Sequence, residues 1–203
     1  MAKEPGEKSA SDSGNKKIAN MRSIYFHEDD YCQIEILPVE NLGFCLKQAG
    51  LIDEFSEEHK AGAGYTDMFI RGENPLSIYT KSIPVGVFEE ALEVAPKYDE
   101  VFTGYSSYCE KCESTNAFGH QENVAVFYEE KDGFVKNIWL ALDIYEDNDV
   151  SITYNMLTSL AKLGDFIIVD WGWGFIEELH DAARIKQYLQ KRLEVFTDSS
   201  DEF

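Results

Sequence analysis

The stretch from Asn123 to Tyr145 constrains the fold most. On Phe134–Tyr145, Ile138, Leu140, Leu142 and Ile144 fall on one face, and Trp139, Ala141, Asp143 and Tyr145 on the other. A period of two over such a length fits a strand, because successive Cβ atoms point to opposite sides of a sheet. Asn123–Glu130 is a second strand-like run, and Lys131-Asp132-Gly133 separates the two. Asp-Gly suits a tight turn whose central residues take positive φ, so the pair is expected as a β-hairpin.

The neighbouring segments add helices. Val150–Leu163 places Ile152, Met156, Leu157, Leu160 and Leu163 on one helical stripe, with Asp149 as the expected N-cap and Gly164 as the stop. Val85–Ala95 repeats the pattern with Val87, Phe88, Ala91, Leu92 and Ala95. A helix opening at Pro38 and stopping at Gly50 carries Leu42, Cys45, Leu46 and Ala49, and Ile52–His59 reads as a short second one. A last helix is expected from about Ile176 to Phe196. Met21–His27, Tyr31–Leu37, Tyr65–Arg71 and Asp165–Trp171 read as strands, the last mostly apolar and expected to be covered on both faces. Tyr98–Gly119 gives no clear pattern. The expected class is α+β: a mixed, largely antiparallel sheet with helices packed on it, in a single domain over residues 21–197. Residues 1–20 read as a flexible leader and 198–203 as an acidic tail.

Charge is the strongest functional signal. The chain has 18 Lys and Arg against 38 Asp and Glu, a net of −20. Such a field repels nucleic-acid phosphates and anionic membranes, and it attracts a basic protein. No apolar run approaches the roughly 20 residues of a membrane span, and no secretory signal core is visible, so the cytoplasm is the expected location. Four cysteines, Cys32, Cys45, Cys109 and Cys112, are too few for a disulfide-built scaffold and are expected as thiols. Nothing in the sequence fixes an oligomeric state.

Three constellations bear on chemistry. Cys109 and Cys112 form a single CxxC with His120 eight residues on, a weak candidate for a structural zinc; no cofactor is otherwise expected. Asp143, Glu146, Asp147 and Asp149 form an acidic knob after a strand, without the spacing of a calcium loop, and are expected to face a partner. Asp170-Trp171-Gly172-Trp173-Gly174 sets a carboxylate beside two tryptophans just past a strand end. Trp is favoured at binding hot spots, so Asp170, Trp171 and Trp173 are the expected anchors of a partner; the alternative is that both rings cap the edge of the core, with Asp170 held in a cap or turn. The histidines match no nucleophile or metalloprotease motif, and no phosphate-binding glycine loop is present, so the chain is not expected to be an enzyme.

In its Met21–Pro38 opening, Met-Arg-Ser-Ile-Tyr-Phe-His-Glu-Asp-Asp-Tyr-Cys-Gln-Ile-Glu-Ile-Leu-Pro, and in Val169-Asp-Trp-Gly-Trp173, the chain resembles the general type of bacterial toxin-neutralising immunity proteins. That resemblance implies a cytosolic protein that binds a cognate toxin or nuclease domain and covers its active site. The alternatives are a regulatory or structural interaction domain with a host partner and, third, a small hydrolase.

Overall fold

The computed structural model describes residues 21–62, 64–105 and 107–200, with side chains through residue 195. The expected leader and the last three residues of the expected tail lie outside the described residues, as does the Phe196 side chain. In chain order the elements are β1 Ser23–His27, β2 Ile34–Pro38, α1 Leu42–His59, β3 Lys60–Ala61, β4 Gly64–Tyr65, α2 Val85–Leu92, β5 Glu100–Tyr105 and β6 Tyr108–Lys111. They continue with β7 Thr115–Gln121, β8 Val124–Lys131, β9 Phe134–Leu142, α3 Asp147–Leu160, β10 Phe166–Asp170, β11 Phe175–Glu178 and α4 Ala182–Ser200. This is an α+β fold with helices packed on a sheet.

Six strands, in the order β11-β10-β2-β9-β8-β7, form one antiparallel sheet. A second sheet, β1-β5-β6, joins β1 parallel to β5 and β5 antiparallel to β6. The hairpin expected from the sequence forms with Lys131 opposite Phe134, and Asp132 and Gly133 take φ of 54° and 80°.

Alternation along the strands sorts the side chains into layers. Ile138, Leu140 and Leu142 of β9 join Ile34 and Ile36 of β2 and Ile168 of β10 under α2, α3 and α4. On the opposite face, Trp139 and Phe127 pack against Phe26 of β1, with ring centroids 5.2–5.5 Å apart. Further along that face, Leu37, Ile167, Val169 and Trp171 meet Cys45 of α1. The second sheet and α1 therefore share one face of the large sheet, side by side.

Four local readings are corrected. α1 runs unbroken through Gly50, because Ile52 beyond it packs into the same cluster as Leu42 and Phe44 and holds the helix across the glycine. Tyr65–Arg71 is not a strand: only Gly64–Tyr65 pairs, and residues 66–77 form an irregular strap over the sheet. The last helix begins at Ala182, since Phe175–Glu178 pairs with β10 across a turn in which Gly174 takes a φ of 60°. Asp149 lies inside the first turn of α3, where Glu146 holds the N-cap position; the Asp149 carboxylate instead accepts from the Tyr145 backbone N–H at 3.0 Å and from Asn123 at 3.2 Å. The unassigned Tyr98–Gly119 region holds β5, β6 and most of β7.

Candidate functional site: an acidic, aromatic end and a neighbouring cleft

The Asp170–Gly174 stretch is divided between the two faces of the sheet. Asp170 stands opposite Ile34 and points to the helical layer; Val169 stands opposite Glu35 and points with it to the α1 face. Trp171, two residues past Val169, follows to that same face.

On the helical side Asp170 is 2% exposed. Its carboxylate accepts from Tyr188 Oη at 2.7 Å and from Arg192 at 2.8 Å, and from the backbone N–H of Trp173 at 3.1 Å. Arg192 also donates to Tyr188 Oη and to the Leu142 carbonyl. Burial and the Asp170 charge push the Tyr188 phenol up, although Arg192 opposes them. For Arg192, burial favours loss of the proton, but Tyr188 and Asp170 outweigh it and raise the guanidinium further.

On the α1 side Trp171 is buried, and its indole donates to Glu35 Oε1 at 2.8 Å. Asp170 is therefore held inside the fold, and Trp171 lies in a cleft wall beneath the Arg71 guanidinium rather than on the open surface. Trp173 is the exposed member of the trio, at 38%, and its ring lies 4.8 Å from the Arg192 guanidinium carbon.

The acidic knob divides in the same way. Asp149 is buried, whereas Asp143, Glu146 and Asp147 are exposed. Asp143 follows Leu142, whose carbonyl Arg192 binds, so the knob and the tryptophan turn meet at Arg192. Although Asp143 reaches solvent, surrounding protein raises its carboxyl above the usual range; Arg192 opposes this and Asp30 adds to it.

Sequence reasoning missed the rest of this end of the molecule. The β1–β2 connection brings Glu28, Asp29 and Asp30 to the same edge, with Tyr25 and Tyr105 beside them. Tyr25 Oη donates to the Gly104 carbonyl at 2.7 Å, and the Tyr105 ring meets His27 at 5.0 Å. Desolvation raises the Tyr25 phenol, and the charges of Cys109, Glu28 and Asp30 raise it further. Tyr108 is raised by its hydrogen bond to Glu110 and by the Glu28 charge, and Tyr145 by desolvation and by Asp143 and Asp149. Glu28 thus lies within charge range of Tyr25 and Tyr108, and Asp30 within range of Tyr25 and Asp143, which gathers these residues at the same end of the fold as Arg192 and Trp173. Tyr25, Tyr105, Tyr108, Tyr145 and Trp173 are all among the exposed large side chains.

Beside this end a cleft of about 1040 Å³ lies between α1, the strap and the sheet. Its floor is Glu35, a carboxylate only 4% exposed. Arg71 of the strap donates to Glu35 Oε1 at 2.5 Å, and its guanidinium stacks on Trp171 with 4.1 Å from carbon to ring centre. Asn74 donates to Glu35 Oε2 at 3.3 Å. Cys32, also in the wall, takes a φ of 56°, and burial followed by the Glu35 charge pushes its thiol up to about 12.

Cys109 is exposed on β6, Cys112 packs partly buried against the core of the second sheet, and His120 is exposed on β7. Among the described residues, no group of three or more His, Cys, Asp or Glu is placed to hold a metal ion. Among them also, no helix is long and apolar enough to cross a membrane. No protein-family model, curated protein or solved structure matches the chain.

Proposed function

We propose that this chain is an acidic cytosolic binding protein that neutralises a basic protein partner, a toxin or nuclease domain, by covering its active site. The supporting observation is the group of exposed carboxylates and aromatics at one end of the fold, from Tyr108 and Glu110 to Asp143, Tyr145 and Trp173. Carboxylates speed the encounter with a basic surface, whereas rigid aromatic rings supply buried contact area at low entropic cost. Asp143, Glu146 and Asp147 are the charged contacts and Trp173 the anchor. Asp149 and Asp170 hold these residues in place from within.

The reading is tested by immobilising the protein, passing lysate of the source cells at low salt, and identifying what a salt gradient releases. A stoichiometric basic protein is expected on the wild type, with loss of that protein on an Asp143→Lys/Glu146→Lys/Asp147→Lys variant and on Trp173→Ala. Retention that ignores both variants, or no basic protein at all, refutes it. An activity assay on the retained protein separates neutralisation from a purely regulatory or structural interaction.

A further inference from the structure

Arg71 has an unusual position. It reaches from a strap without regular structure into a cleft, where a buried carboxylate and an indole face bind it. A planar guanidinium suits both partners: it forks onto a carboxylate and stacks on an aromatic ring, which an ammonium cannot do. The strap is tied at its ends, where the Thr66 N–H donates to the His59 carbonyl, Leu76 exchanges two hydrogen bonds with buried Asn41, and Ser77 donates to the Lys136 carbonyl; its middle has fewer ties besides Arg71. Phe69 meets the Phe55 ring at 5.5 Å, the Gly72 N–H donates to Gln48 at 3.2 Å, and Asn74 reaches Glu35. On either side of Phe69, Met68 and Ile70 stand 78% and 86% exposed.

The resident arrangement is also incompletely satisfied. A carboxylate only accepts, so Asn74 must turn its amide nitrogen toward Glu35, and its Oδ1 is left buried without a hydrogen-bond partner. A buried acceptor without a donor destabilises the closed strap relative to alternatives.

We propose that this cleft is a receptor for an arginine side chain of the basic partner, with Arg71 filling the site in its absence. The proposal rests on the function given above and names the group that the partner would insert. On binding, the incoming guanidinium takes the place of Arg71 on Glu35 and Trp171, and the strap moves aside with its exposed Met68 and Ile70 available to the partner.

The test uses the full chain and N-acetyl-L-arginine amide, followed by the Trp171 indole N–H resonance, which is identified by its loss in Trp171→Phe. A saturable shift is expected in the wild type, with N-acetyl-L-lysine amide producing none at the same concentrations. In Arg71→Lys, which keeps a cation beside Glu35, the probe is expected to bind about tenfold more tightly, because the tethered competitor is weaker. Glu35→Gln is expected to abolish the shift. Absence of a saturable, arginine-selective shift in the wild type overturns the proposal, whatever Arg71→Lys does. The probe is small and needs no partner, so its failure is distinct from failure of the acidic end to retain a basic protein.

Discussion

Replacing Asp170 by Asn removes a charge while keeping the side chain's shape, and it leaves Arg192 buried without its counter-ion. Asp170 and Arg192 are 2% and 7% exposed, and the ion pair between them is 2.8 Å long. Truncating one partner of such a pair costs about 3–5 kcal/mol, chiefly because the remaining charge stays desolvated. That is a large part of the roughly 5–15 kcal/mol that a domain has in total. At about 2–4 °C per kcal/mol for a chain of this size, the melting temperature should fall by roughly 6–20 °C. Urea unfolding followed by tryptophan fluorescence gives the free energy directly, and Asp143→Asn serves as the exposed control, expected within about 0.5 kcal/mol of wild type. An Asp170→Asn loss below about 1 kcal/mol would refute the reasoning. It would mean that Arg192 turns to Asp143, whose carboxyl already feels its charge. Adding Arg192→Met to Asp170→Asn should recover part of the loss, since the stranded charge is then gone.

Two further outcomes follow from the same structure. With its thiol pushed up to about 12, Cys32 should be thiolate in only about one molecule in 10,000 at pH 8; iodoacetamide followed by mass spectrometry should label exposed Cys109 first, with half-buried Cys32 and fully buried Cys45 both late, and labelling of Cys32 as early as Cys109 would contradict its raised thiol. Burial tends to raise the Glu89 carboxyl, but hydrogen bonds from Lys97 and Tyr128 and the Lys97 charge bring it below its ordinary value of 4.5. A carboxyl lowered on folding stabilises above its unfolded value and loses that contribution as pH falls through the folded one. Glu89→Gln should therefore be less stable than wild type at pH 7, with the difference shrinking below pH 4.5 in acid-unfolding curves; a constant difference across that range would refute the assignment.

Much of the architecture was legible because it rests on periodicity. The β8–β9 hairpin, α2, α3 and the doubly buried β10 each repeat apolar residues at the spacing of their element. Failures came where tertiary contacts overrode a local signal. Gly50 reads as a helix stop, yet Ile52 finds the core beyond it. Ile176–Glu178 reads as the start of a helix, yet the open edge of β10 takes it as a strand.

The candidate site was harder to read, because its two halves are joined by residues far apart in sequence. Asp170 reads as a partner contact or a residue held in the local turn, but the Arg192 that binds it is 22 residues away. One signal was present: Arg192 lies four residues after Tyr188 and three after Leu189, within the apolar stripe of α4, where an arginine calls for a buried acid. Glu35 gave a similar one, sharing a strand face with Leu37. The tyrosine group left no such trace, since β1, β5 and β6 meet only through the topology of the second sheet.

The most direct test of the account is stopped-flow association of the retained basic protein with wild type and with the Asp143→Lys/Glu146→Lys/Asp147→Lys variant across ionic strength. The account predicts that wild-type association is at least about tenfold faster at low salt and that the two rates converge near 1 M salt, where the screening length falls to about 3 Å. Equal rates at low salt would contradict it, placing the encounter surface elsewhere on the molecule.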